Sequence, residues 1–291
     1  MRVDIHCHLL PGIDDGAKDL DQALAMVGLA VADGITDIIC TPHHFNGVYH
    51  NEAHAIRQHC QALQTAIEAA GLSLQVHPGA ENHIVPELPQ ALQRGEAMTL
   101  GDLGRHVLVE LPVMTIPHGT DRVLKALLAD GLIPIIVHPE RNDALRTQPQ
   151  TLADWVGWGC LSQVTAQSLT GQFGPQVQAA GKRMISLGAV HCIASDAHRD
   201  RRRIPALSPA HAQLSRWFGQ PLADCLTDHV PAQLLQGQAI DTERVIDALG
   251  MSKSTGWAGR MGRGLAKKAP HPQDSERETL WSRLRRGRAK K

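Results

Sequence analysis

The 291-residue chain has no Cys-x-x-Cys pair among its six cysteines, no net charge, and no apolar run approaching the ~20 residues of a membrane span. The first absence argues against a disulfide scaffold or a thiolate zinc cluster, and the third against an integral membrane protein. No signal sequence precedes Met1-Arg2-Val3-Asp4, so a cytoplasmic protein with reduced, mostly buried thiols is expected. Aromatic residues are few, with one Tyr and three Phe. Disorder is excluded by composition: 43% of residues are hydrophobic and 20% charged, enough apolar material for a sizeable core. Histidine is abundant instead, at 17 residues, and that many imidazoles suggest metal.

The zero net charge conceals two unequal parts. Residues 251–291 hold 12 Lys and Arg against 3 Asp and Glu, leaving 17 against 26 in residues 1–250. A single domain over 1–250 is therefore expected, followed by a flexible basic tail over 251–291 whose last stretch, from Ser275, has the pattern of a short amphipathic helix around Leu280, Trp281 and Leu284. The plain reading of the tail is a solvated extension, and the alternative is contact with an acidic membrane surface or an acidic partner. Nucleic acid is not expected, because no recognition motif is visible and the domain is acidic.

Within the domain, helical patterns end at a glycine five times and a short β-rich run follows. Gly34, Gly71, Gly131, Gly159 and Gly188 precede Ile35–Cys40, Leu72–Val76, Leu132–Val137, Cys160–Val164 and Ala189–Ala194. With Val3–His8 and Val107–Leu111, about seven strands alternate with helices. This predicts an α/β fold with a mainly parallel sheet, either a barrel or an open doubly wound sheet.

Ionisable residues fall at the ends of these strands: His6 and His8, His43 and His44, Glu81, Glu110, His138, then Asp196 and His198. In parallel α/β folds strand carboxyl ends share one side, so residues more than a hundred positions apart would converge there. His6 and His8 are two apart on a strand and face the same way. Carboxylates mixed with imidazoles, without a thiolate cluster, suit manganese, iron or zinc in a catalytic site, and there are enough candidates for two or three ions.

The motifs Asp4-Ile-His-Cys-His8, Gly12-Ile-Asp-Asp-Gly16, Thr41-Pro-His-His44, Gly79-Ala-Glu81, Val109-Glu-Leu111, His138-Pro-Glu-Arg141, Gln163-Val-Thr-Ala-Gln-Ser-Leu-Thr-Gly171 and Ala194-Ser-Asp-Ala-His198 resemble the PHP superfamily. Within it they resemble the bacterial manganese-dependent protein tyrosine phosphatases of capsular and exopolysaccharide clusters, the CpsB/YwqE type. The likeness runs from Met1 to about Leu249 and does not include the tail. It implies a distorted seven-stranded (β/α)7 barrel and a metal centre, with Mn²⁺ first and iron or zinc as alternatives. By motif position, His6 and His8 would share one ion with Glu81 and Asp196. Glu81 would bridge to a second ion held by Glu110 and His138, and Asp15, His43 and His198 would hold the third. Asp14 and His44 are the alternatives to Asp15 and His43.

Arg141 and Arg203 match family positions proposed to bind phosphate, while Arg199, Arg201 and Arg202 are undecided between phosphate contact and a solvated patch. The resemblance implies hydrolysis by a metal-activated water, with the two arginines neutralising charge on phosphate and Asp196 or His198 available to protonate the leaving phenolate. The implied partner is the phosphorylated C-terminal tail of a bacterial tyrosine kinase controlling polysaccharide export. A small-molecule phosphatase such as a histidinol phosphatase, or a nonenzymatic metal-binding regulator, is the alternative. A cysteine phosphatase is excluded by spacing, because the sixth residue after each Cys is Ile13, Asn46, Ala66, Ala166, His198 or Pro231, never Arg.

Overall fold

The computed structural model describes residues 2–250; the expected basic tail, its amphipathic helix and any membrane contact through it lie outside the described residues. The strands, in chain order, are β1 (Val3–Cys7), β2 (Asp37–Cys40), β3 (His43–His44), β4 (Gln75–Pro78), β5 (Glu81–His83), β6 (His106–Glu110), β7 (Ile133–Val137), β8 (Leu161–Thr165) and β9 (Cys192–Ala194). They form a three-stranded sheet in the order β1-β2-β4 and a six-stranded sheet in the order β3-β5-β6-β7-β8-β9. Every pairing of these strands is parallel, as the alternation predicts.

Where the alternation predicts seven strands, the described residues contain nine, because two of the expected strands are interrupted. Pro42, in the break between β2 and β3, has no N–H to give to a ladder. Gly79, in the break between β4 and β5, packs so closely that a Cβ there would stand 2.8 Å from the Ile39 side chain. At both breaks the chain passes from the first sheet to the second, and this places His43 beside Glu81 and His83 beside Glu110 in the parallel register. The first and last strands also meet: the Asp196 N–H donates to the His6 carbonyl at 2.8 Å and the His8 N–H to the Ala197 carbonyl at 2.9 Å. Buried Asp4 reinforces that junction by accepting from the Ser195 N–H at 2.9 Å and from the Ser195 hydroxyl.

Helices cover the sheets. In α1 (Leu20–Ala32), Asp19 caps the first turn by accepting from the Gln22 N–H, while Met26, Val27 and Ala30 face the core. In α2 (Ala53–Ala69) the buried face is Ile56, Cys60, Leu63 and Ile67, the helical spacing read from the sequence. The five junction glycines all have positive φ, the left-handed geometry that closes a helix. Ile5, Ile38, Ile39, Val107, Val109, Ile135, Ile136 and Ile193 are buried strand residues, each contributing about 1.5–3 kcal/mol from removal of apolar surface. All six cysteines are free and buried. No helix among the described residues is long and apolar enough to cross a membrane.

Candidate metal centre

β1 carries two imidazoles into the interior. His6 Nε2 and His8 Nε2 stand 3.3 Å apart, and each faces Glu81, at 3.4 and 3.3 Å respectively. Asp196 Oδ1 approaches both from 3.5 Å. Adjacent ligands of one ion at ~2.1 Å stand roughly 3.0–3.4 Å from one another, so these separations suit donors sharing a cation better than donors paired with each other. All four side chains are essentially inaccessible to solvent.

The remaining predicted positions gather around the same carboxylate. His138 Nε2 lies 2.8 Å from Glu81 Oε1 and 4.0 Å from Glu110 Oε1. His43 Nδ1 lies 2.8 Å from Glu81 Oε2 and 3.6 Å from Glu110 Oε2. On the other side, Asp15 Oδ1 is 3.4 Å from both His43 Nε2 and His198 Nε2. The ligand atoms fall into three overlapping groups, each within 4.8 Å: His6 with His8 and Glu81; His43 with Glu81 and Glu110; and His8 with Asp15, His43 and His198. The nine positions singled out in the sequence thus come together. The grouping differs from the motif-based one: His8 also joins Asp15, His43 and His198, His43 joins Glu81 and Glu110, and His138 meets Glu81 more closely than Glu110.

The alternatives left open by the sequence separate cleanly. Asp14 faces His8, whose Nδ1 donates to Asp14 Oδ2 at 2.7 Å, and Asp14 Oδ1 accepts from the Gly16 N–H at 2.8 Å. Asp14 therefore orients an imidazole while Asp15 projects toward two others. Gly16 is required there, since a Cβ would lie 2.1 Å from the His8 carbonyl oxygen. His44 turns away from Glu81, with its ring 3.9 Å from that of Phe45 and 4.8 Å from that of His50. Burial lowers its pKa to about 4.

Two contacts were missed at the sequence level. His6 Nδ1 donates to Gln163 Oε1 at 2.8 Å, which fixes the ring so that Nε2 faces the cluster. Gln163 opens one of the motifs that carry the family resemblance, but the motif assigns it no role. His83 Nδ1 lies 3.2 Å from Glu110 Oε2; its two-residue spacing from Glu81 repeats that of His6 and His8.

The donor set fits a cation. His43 Nδ1, Glu81 Oε2 and Asp196 Oδ1 are buried without a well-aligned hydrogen bond among the described residues, although the first two stand 2.8 Å apart. Leaving such atoms unpaired costs about 1–3 kcal/mol each, and a shared divalent ion would satisfy all three. The charge states agree. Burial pushes the Glu81 carboxyl up, but His6, His43 and His138 outweigh it and hold it well below the usual carboxylate range. Asp196, equally buried, is held low by Arg141, Arg203 and His6. Burial and the neighbouring His8 lower the His198 pKa to about 4. Asp196 and His198, the two candidates for the leaving-group acid, both lie inside the cluster, with His198 Nδ1 3.6 Å from Asp196 Oδ1.

Asp196 Oδ2 accepts from Arg141 at 2.6 Å and lies 2.7 Å from an Arg203 nitrogen. Both guanidiniums thus converge at the edge of the cluster, and Arg141 also sits over the Phe173 ring at 5.2 Å. Arg199 is committed elsewhere: it donates to the carbonyls of Asp15, Gly16 and His198, tying the loop after β9 to the Asp14-Asp15 turn. Arg201 and Arg202 are exposed.

Comparison with known proteins identifies the family. A family model for capsular polysaccharide synthesis proteins, CpsB/CapC, matches residues 2–236. The chain is 38% identical over 238 residues to the tyrosine-protein phosphatase YwqE of Bacillus subtilis (strain 168), spanning 82% of this chain and 93% of that protein. It is 25% identical over 243 residues to the tyrosine-protein phosphatase CpsB of Streptococcus pneumoniae, spanning 82% of this chain and 100% of that protein. A solved structure from the work on YwqE and CpsB as metal-dependent tyrosine phosphatases matches with a TM-score of 0.79 at 38% identity, covering 82% of this chain and 96% of that one.

Proposed function

The chain belongs to the CpsB/CapC family of capsular polysaccharide synthesis proteins, and from that premise we propose that it is a metal-dependent protein tyrosine phosphatase acting on a bacterial tyrosine kinase in the cytoplasm. The observation that carries the reading is the buried set His6, His8, Glu81 and Asp196, whose imidazole nitrogens lie 3.3–3.5 Å from each other and from the two carboxylates, with two arginines at its edge. The fold reading that goes with it is a distorted barrel in which the strand segments of residues 37–44 and 75–83 each count once. The backbone bonds between His6–His8 and Asp196–Ala197 support closure of that barrel.

In this reading His6, His8, Asp15, His43, Glu81, Glu110, His138, Asp196 and His198 hold two or three ions, manganese first. Such cations acidify a water molecule and offset the charge of a phosphate. Arg141 and Arg203 supply the remaining positive charge. Arg141 donates to Asp196 Oδ2 and Arg203 forms an ion pair with the same oxygen, which holds two guanidiniums at one point, where they would grip phosphate oxygens as charge grows on them. Asp14 and Gln163 keep His8 and His6 in the tautomers that turn Nε2 to the cluster. The phenol leaving group has a pKa near 10 and departs with little help, and Asp196 or His198 is the candidate to protonate it. Water adds to phosphorus, the P–O bond to the phenol breaks, and phosphate and the phenol leave.

The test is steady-state hydrolysis of a phosphotyrosine peptide and of histidinol phosphate by Mn²⁺-loaded protein. Hydrolysis of the phosphotyrosine peptide that stops in chelator and is absent in Glu81→Gln is expected. Preference for histidinol phosphate would move the protein to the small-molecule class.

A further inference from the structure

We infer that Val48 on one loop and Val113 with Met114 on another form an apolar rim that receives the polypeptide on either side of the phosphorylated tyrosine; the inference rests on the phosphatase reading above. These are the three most exposed large hydrophobic side chains among the described residues, at 79%, 59% and 67%. A single exposed Val or Met means little on any protein surface. Their position is what counts. Val48 lies four residues beyond the end of β3, which carries His43, and Val113 three residues beyond Glu110 at the end of β6.

Neither loop is loosely held. Asn46 Oδ1 accepts from the Val48 N–H at 3.0 Å and the Tyr49 N–H at 2.7 Å, while His50 pairs with His44 as a β-bridge. The Tyr49 ring lies nearly parallel to the His43 imidazole, with centroids 6.1 Å apart and planes 8° apart. On the second loop, Asn142 Nδ2 donates to the carbonyls of Pro112 at 2.7 Å and Thr115 at 3.0 Å, and the Asp143 N–H donates to the Val113 carbonyl at 2.8 Å. Asn142 is the residue after Arg141, so the backbone that sets a phosphate-gripping guanidinium also sets the exposed pair. In both loops an asparagine fixes the turn and the apolar side chains are left facing water.

Ordering the backbone beforehand removes the entropic cost a flexible loop would meet on binding, and the apolar surface stays available to be covered. A free aryl phosphate or histidinol phosphate has no chain running on from either side of its phosphorylated group. A peptide continues in both directions from its phosphorylated side chain, and in this inference its flanks are what the two loops receive.

Kinetics of the Mn²⁺-loaded full chain would compare para-nitrophenyl phosphate with two phosphotyrosine peptides, one flanked by Leu and Val and the other by Ser. Fluorescence anisotropy would follow binding of the Leu/Val peptide carrying a phosphonate in place of the phosphate. The double variant V113S/M114S is expected to raise KM for the Leu/Val peptide about tenfold more than for para-nitrophenyl phosphate, with Val48→Ser smaller in the same direction. The Kd of the phosphonate peptide should rise in parallel, and thermal melting should hold because the side chains are exposed. Equal effects on both substrates, or no wild-type preference for Leu/Val over Ser flanks, would overturn the rim while leaving the phosphatase intact. A change of oligomeric state in the variants without a change in peptide KM would assign the surface to self-association and overturn it too. Absence of any aryl phosphate hydrolysis by wild type would remove both readings.

Discussion

Asp14→Asn tests the division of labour between two adjacent aspartates. Asp14 accepts three hydrogen bonds and gives none: Oδ2 from His8 Nδ1 at 2.7 Å and from the His43 N–H at 3.2 Å, Oδ1 from the Gly16 N–H at 2.8 Å. In asparagine one of the two oxygen positions becomes an NH₂, and in either orientation that group faces at least one of these donors. If it faces His8, the Nδ1 proton loses its acceptor and the ring is no longer held with Nε2 toward Glu81. The lost bond involves a charged carboxylate and is worth about 1.5–3 kcal/mol. Divided by about 1.4 kcal/mol per decade, that becomes a loss of metal affinity of roughly 10–100-fold, the range expected when a partner of a metal-bound histidine is removed. Calorimetric titration with Mn²⁺ and the Mn²⁺ concentration for half-maximal phosphatase activity both read this quantity. Asp15→Asn leaves the Asp14 frame in place but alters the oxygen facing His43 and His198, so its loss should be larger and added Mn²⁺ should restore less activity. A half-saturation for Asp14→Asn within about twofold of wild type, with unchanged melting, would refute the orienting role. A reversed order of the two variants would make Asp14 the direct ligand.

Three further outcomes follow from the same contacts. Arg141→Ala should reduce kcat for an aryl phosphate by roughly 10²–10³-fold, and Arg141→Lys should recover only part of it, because a point charge cannot replace the planar fork that now grips Asp196; full recovery with lysine would show that charge alone suffices. Arg199→Ala should leave KM for para-nitrophenyl phosphate within about twofold but lower the melting temperature and raise the Mn²⁺ requirement, since Arg199 spends its donors on the carbonyls of Asp15, Gly16 and His198. A large KM effect would return Arg199 to the phosphate. Burial lowers the pKa of His191 and of His106 from 6.5 to about 4. On acidification the unfolded chain therefore binds these protons first, so their contribution to stability is whole above pH 6.5 and is lost as pH falls from 6.5 toward about 4. Urea unfolding should show a slope of up to about 1.4 kcal/mol per pH unit for each histidine in that window, reduced by one histidine in His191→Gln; a flat profile in both proteins would refute it.

Much of the fold was legible because it follows from local rules. The apolar face Ile56, Cys60, Leu63 and Ile67 has helical period, and the glycines that close the helices lie where the backbone turns left-handed. The interruptions at Thr41-Pro42 and Gly79-Ala80 were not read, although Pro42 was in plain view. A proline says that one ladder bond is missing, but not that the chain then changes partner strands and sheets. The convergence of the nine site positions was legible for another reason: in a parallel fold, strand-end residues share a side whatever their separation in sequence. Pairs of neighbours were harder. Strand alternation says that His43 and His44 face opposite ways, yet only the placement of β3 against β5 tells which of them meets Glu81. Arg199 and Arg203 are the same residue type on one loop and only the family resemblance separates them in the sequence; the direction of that loop decides that one ties backbone while the other reaches Asp196.

What remained hidden is concentrated where the backbone departs from its local preference. Five non-glycine residues among those described have positive φ, and three of them are His138, Asp196 and Arg203. For side chains bearing a Cβ this conformation costs about 1–3 kcal/mol each, and nothing in the residue types announces it. It persists because other bonds impose it: the Arg141 N–H donates to the His138 carbonyl at 3.0 Å, the Asp196 N–H to the His6 carbonyl at 2.8 Å, and the His198 N–H to the Arg203 carbonyl at 2.9 Å. Each of those bonds ends on a residue of the metal cluster or on an arginine beside it. The left-handed step at Asp196 turns the chain at the end of β9 so that Asp196 meets His6, His8 and both guanidiniums, while the one at Arg203 returns the following loop to His198. Local preference is overridden at the points where the imidazoles and two guanidiniums converge on one carboxylate, and the folding energy of the surrounding strands holds it there.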